Sequence, residues 1–127
     1  MAREVTVRWL SGMQTESEVG PHRVRADAAV DGGGGDTGPS PGELLLSALG
    51  AWKVMTARQF AERRKWPLTG IRAHLTAENV GGKYGKIEVE LTLEGDLTDE
   101  QRQRLRDVAE RCLVSKTLAA GVPIVLR

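Results

Sequence analysis

Cys112 is the only cysteine in the chain, and its neighbours suit it to two different uses. It closes a stripe of Leu105, Val108, Ala109 and Cys112 at i, i+3, i+4 and i+7, where a thiol is ordinarily a small buried hydrophobe. Yet Arg111 precedes it, Lys116 lies four residues on, and "CLVSKTL" can restart a short helix after a kink. Such surroundings favour the thiolate, which is the nucleophilic form. Other chemistry has less support. His22 and His74 are far apart, and neither has a second His, Cys or carboxylate at ligand spacing, so no metal and no cofactor is expected. His74 falls on the polar face of a strand and reads as solvated. His22 precedes a glycine-rich segment and could line a site, although a turn histidine is the plainer reading. No G-x-S-x-G elbow is present for a serine hydrolase. The segment "DGGGGDTGPSPGE" fails as a phosphate cradle, because Gly38 is followed by Pro39-Ser40 rather than by Lys and a hydroxyl residue.

The elements that must position these residues are readable from periodicity. Val5, Val7 and Trp9 alternate with polar residues, as in a half-buried strand, and Ser11-Gly12 marks a turn. Residues 15–26 add one or two short strands. Residues 31–43 are too rich in Gly and Pro for a regular element and read as a mobile surface loop. Ser40-Pro41, with Glu43 in the first turn, opens a long helix ended by Arg63-Arg64-Lys65 and Pro67. Its inward face is predicted to carry Leu45, Ala48, Leu49, Trp52, Met55, Thr56, Gln59 and Phe60. Ile71, Ala73, Leu75 and Ala77, then Ile87, Val89, Leu91 and Leu93, alternate with polar residues around "NVGGKYG", which predicts a hairpin with one face on the core. Thr98 and Gln101 form a capping box for a second helix, and "GVPIVLR" is expected to be a short strand. The order predicts an α+β domain, with antiparallel sheets packed around a long central helix.

Composition sets the outer bounds. With 127 residues the chain is long enough for one domain spanning residues 1–127 without disulfides or metals. A net charge of +1 gives no overall field for nucleic acid or a membrane surface, and neither is expected as a partner. No run of about 18 apolar residues is present to span a bilayer. The N-terminal residues lack the apolar run of a signal peptide, and with a single cysteine a cytoplasmic location is expected.

Three segments in register, "GPSPGELLLSALGAW", "KVMTARQFAERRKWPL" and "AERCLVSKTLAAGVPI", resemble the OsmC/Ohr family of osmotically induced and organic-hydroperoxide-resistance proteins. The resemblance runs from about His22 onward. It implies an intertwined homodimer with two sites at the subunit interface. In active members a cysteine of the central helix attacks the peroxide, helped by an Arg and a Glu, and a second cysteine resolves the sulfenic acid. Carried over by position, the resolving cysteine falls on Cys112, with Leu113 where proline is common. The attacking cysteine falls on Trp52, and the activating Glu on Gly42, one place before Glu43. Arg23 and Arg25 are both candidates for the arginine. An indole cannot form a thiolate, so a two-cysteine cycle is not available. Three expectations follow. The first is a dimer without peroxidase activity, keeping an interfacial cleft for a small apolar or thiol ligand beside Trp52. The second is a one-cysteine peroxidase using Cys112. The third is a redox-responsive dimer joined through that residue.

Overall fold

The computed structural model describes residues 3–127. Two compact units divide at Leu45/Leu46, inside a helix that continues through both.

In the first unit, β1 (Thr6–Ser11), β2 (Gln14–Val19) and β3 (His22–Ala26) form an antiparallel sheet in sequence order. Gly12 and Gly20 adopt positive φ at the two tight turns, where a side chain would be strained. The expected half-burial of β1 is not observed. Val5, Val7 and Trp9 are exposed, and among the described residues of this unit no layer packs on their face of the strand. The glycine-rich segment is also different from a free loop. Asp27, 2% exposed, accepts hydrogen bonds from Ala28 N, Gly35 N, Thr37 N and Thr37 Oγ1 at 2.7–3.2 Å. Gly34 closes the turn, since a Cβ there would stand 2.1 Å from the Ala28 carbonyl oxygen. Of the four glycines in a row, Gly34 is required by close backbone approach and Gly33 by its positive φ.

Helix α1 (Pro41–Arg63) begins with Ser40 and Glu43 bonded reciprocally. Ser40 N donates to the Glu43 carboxylate at 2.9 Å and Glu43 N donates to Ser40 Oγ at 3.2 Å, which satisfies two of the free donors at the helix start. At the other end, Lys65 takes positive φ and Trp66 N reaches back to the Ala61 carbonyl, as the basic cluster and Pro67 suggested.

The second unit packs α1 and α2 (Asp99–Glu110) against the hairpin of β4 (Leu68–Val80) and β5 (Lys83–Gly95). The predicted apolar residues face one another in register: Ile71 with Leu93, Ala73 with Leu91, Leu75 with Val89, and Ala77 with Ile87. The core gathers Ala57, Ala61, Leu68, Leu93, Leu105 and Ala109 at the base of the hairpin. The capping box of Thr98 and Gln101 opens α2 as expected.

Two expectations are corrected in this unit. The buried face of α1 carries Leu49, Gly50, Lys53, Ala57 and Ala61, whereas Trp52 is 41% exposed and Met55 64%. Small residues win that face because they allow close approach; a Cβ on Gly50 would stand only 2.8 Å from Leu75 Cδ1. The tail, Gly121–Arg127, forms no strand. Ile124 and Leu126 are 93% and 99% exposed, and among the described residues no strand pairs with this segment to supply the ladder that a β segment needs.

Candidate functional site

The residues singled out in the sequence are divided between the two units. His22, Arg23 and Arg25 belong to the exposed part of β3. Arg23 lies 3.6 Å from Glu18 and Arg25 3.6 Å from Glu16, both across the β2–β3 ladder, so each guanidinium is already occupied by a surface partner. Arg23 also donates to the carbonyls of Gly20 and His22, which ties it to its own turn. Glu43 is taken up by the start of α1. The Ser40 N–H beside it holds its carboxyl below the usual carboxylate range, with the Ser40 hydroxyl adding to the effect. The geometry gives Glu43 a capping role.

In the second unit, Cys112 is 2% exposed and forms the N-cap of α3 (Leu113–Ala120), the restarted helix that the sequence suggested. Its Sγ accepts from Ser115 N at 3.4 Å, as a serine oxygen would at the same position. Of the predicted inward stripe, Leu105, Ala109 and Cys112 are buried and Val108 is half-buried. Trp52 stands on the exposed side of α1, and no hydrogen bond joins it to Cys112 among the described residues. The motif positions in this unit therefore hold one sealed sulfur and one exposed indole.

A different constellation occupies the concave side of the second unit. Where the hairpin rises beyond its core, Ile87, Val89 and Leu91 form one wall of a cavity of about 680 Å³. Leu49 and Lys53 of α1 form its floor, and the end of α2 with Ser115, Leu118 and Ala119 of α3 closes the other side. Lys53 is 7% exposed, and its Nζ donates to the Ala109 carbonyl at 3.1 Å. That carbonyl is one of the last in α2, where the helix dipole favours a cation. Arg106 at the rim donates to the Leu91 carbonyl. A second cavity of about 400 Å³, beside Gly50, Val54 and Leu75, has no charged side chain in its lining. Trp52 lines neither. Sequence reasoning missed Lys53, because one charge inside an apolar helix reads as solvent-facing. Its signal was position: Leu49, Lys53, Ala57 and Ala61 recur every four residues on one face.

Among the described residues no three His, Cys, Asp or Glu side chains are grouped to hold a metal ion, and no helix is long and apolar enough to cross a membrane.

The family model for OsmC-like proteins matches residues 33–127, which takes in α1, the hairpin, α2 and α3. The chain belongs to the OsmC-like protein family. Solved structures agree on the fold of this OsmC-like protein. It is similar to an OsmC-like protein from Mycoplasma pneumoniae, with a TM-score of 0.83 at 17% identity over 94% of this chain and 88% of that one. It is also similar to the organic hydroperoxide resistance protein OsmC of Legionella pneumophila, with a TM-score of 0.68 at 18% identity over 93% and 89% of the two chains. The organic hydroperoxide resistance protein OhrB of Bacillus subtilis gives 0.64 at 24% identity over 96% and 93%. No curated protein matches the chain.

Proposed function

We propose that this OsmC-like protein carries no two-cysteine peroxidase activity and acts by binding, as a homodimer related to the hydroperoxide-resistance proteins it resembles in fold. One observation carries the reading. The helix position where the family resemblance puts the attacking thiol is Trp52, and the chain's only sulfur nucleophile, Cys112, is 2% exposed beneath the start of α3. An indole forms neither thiolate nor sulfenic acid, and a buried thiol is out of reach of a bulky hydroperoxide.

Dimerisation is supported by the apolar residues the single chain leaves uncovered. Val5 just before β1, Val7 and Trp9 on β1, Trp52 and Met55 on α1, and the tail around Ile124 and Leu126 are all exposed. An apolar tail with unpaired backbone and an uncovered strand face are what a second copy would bury. Trp52 would then wall a cleft between subunits that accepts a small apolar or thiol-bearing ligand. A cytoplasmic setting belongs to the same proposal, as does the expectation that neither nucleic acid nor membrane is a partner.

The one-cysteine alternative needs peroxide to reach Cys112, and a redox-linked dimer needs two Cys112 thiols to meet. The burial of that sulfur opposes both. The test is consumption of cumene hydroperoxide with dithiothreitol or a lipoyl donor. We expect no turnover above the protein-free rate. Turnover that Cys112→Ser abolishes would overturn the proposal in favour of the one-cysteine enzyme. In the reverse direction, Trp52→Cys would gain turnover only if the Arg and Glu of the active branch have counterparts, which Gly42 argues against.

A further inference from the structure

Lys53 is a buried ammonium with an incomplete set of partners. Of its three N–H donors one is used, on the Ala109 carbonyl. Among the described residues no carboxylate comes within 4.0 Å of it, although Glu110 lies on the same cavity. Every ion pair in the described chain lies instead at the surface, between residues of β1, β2, β3 or β5. Taking an ammonium out of water without a counter-charge is costly, and a protein ordinarily pairs it. Here the unpaired charge lines a cavity. The cavity's volume of about 680 Å³ falls in the range of roughly 300–1,000 Å³ in which small-molecule sites occur. Its walls are aliphatic: Leu49, Ile87, Val89, Leu91 and Leu118. Three cationic side chains, Lys53, Lys86 and Arg106, line it against one carboxylate, Glu110. Lys86 is exposed and paired with Glu88 at 2.8 Å, and Arg106 is exposed at the rim, where water completes its shell, which leaves Lys53 as the buried cation of the cavity with donors to spare.

We infer that this cavity is a binding site for an aliphatic monocarboxylate of medium chain length. Its head group lies on Lys53 Nζ, and its chain runs along the distal apolar face of β5 toward Leu118. The carboxylate supplies the missing counter-charge and takes the two free donors. The chain covers Val89, which the hairpin otherwise leaves 36% exposed. The site is separate from any cleft at Trp52, since Trp52 is not in its lining, and it stands or falls independently of peroxidase activity.

The test is a titration of the isotope-labelled full chain with octanoate and, in parallel, with 1-octanol, followed by amide chemical shifts. We expect saturable octanoate shifts centred on Leu49, Lys53, Val89 and Leu118. Lys53→Met keeps the aliphatic stem and removes a buried charge, so folding is preserved. It should weaken octanoate by about ten-fold or more, the worth of a charge-assisted hydrogen bond, while leaving octanol unchanged. Lys53→Arg should retain binding. Shifts that do not saturate, that map elsewhere, or that survive Lys53→Met undiminished would overturn the inference. So would an absence of binding because a second copy of the chain fills the groove.

Discussion

Asp27 in the N-terminal unit and Lys53 in the C-terminal unit are both charged and both nearly inaccessible, yet the chain surrounds them in opposite ways. Asp27 is saturated. Four donors converge on its two oxygens, and the Thr37 hydroxyl, with the backbone N–H groups of Thr37, Ala28 and Gly35, holds its carboxyl below the usual carboxylate range. Lys53 has one backbone carbonyl and an open cavity. A buried charge with all its partners supplied by the chain is a structural device. One with partners missing points to something the chain does not itself contain. The glycine-rich segment reads in the sequence as a surface loop that fails as a phosphate cradle, and in the structure it is a scaffold around Asp27. The inconspicuous lysine beside Trp52 is the better candidate for binding.

The sharpest way to break this contrast is to remove the saturated charge. Asp27→Ala leaves several backbone N–H groups of a tightly turned loop without partners, and we expect its melting temperature to fall by about 10 °C. A fall no larger than that of an ordinary surface substitution would show that the loop is not held by this carboxylate. Next comes Gly34→Ala, where the new Cβ would meet the Ala28 carbonyl oxygen at 2.1 Å. A clash with backbone has no easy relief, so chemical denaturation should register a loss of about 2 kcal/mol. Gly33→Ala, at φ 89° but in open space, should cost only about 1 kcal/mol.

Trp52 tests the C-terminal side. Because it is half-exposed in the single chain, Trp52→Ala should change the stability of the isolated subunit by less than about 1 kcal/mol. If it anchors a dimer, the same substitution should weaken self-association by about 2 kcal/mol, near 30-fold, in sedimentation equilibrium. A large loss of subunit stability with no change in association would restore the core role that periodicity first suggested. The smallest effect expected is one of pH. The folded pKa of Asp27 is depressed, so its stabilisation is fully present above its unfolded value near 4 and is lost as pH falls through the lower folded value. The stability gap between wild type and Asp27→Asn should therefore be constant from neutral pH down to about 5 and shrink below about 4. A gap that widened on acidification would contradict the assignment.

What the sequence revealed depended on how local the signal was. The hairpin, α2 with its capping box, and the helix restart at Cys112 are set by alternation, a Thr-x-x-Gln spacing and a short apolar run, and all were legible. The start of α1 was legible as a Ser40-Pro41 opening with Glu43 in the first turn, whereas the reciprocal bonding of Ser40 and Glu43 is seen only in the structure. The buried face of α1 was misread for a different reason. Large apolar residues dominate a periodicity plot, but Ala57, Ala61 and Gly50 pack inward because the hairpin and α2 lie too close for bulk. The tail was misread because a strand is a relation between two segments, and only one of them can be recognised from "GVPIVLR".

Absence of thiol–peroxide chemistry is the central claim, and the state of the Cys112 sulfur measures it most directly. Native protein exposed to cumene hydroperoxide should keep Cys112 as a free thiol, trapped and identified by mass spectrometry. The same chain unfolded in guanidinium should oxidise readily. Formation of a sulfenic or disulfide adduct on Cys112 as fast in the native protein as in the unfolded chain would contradict it.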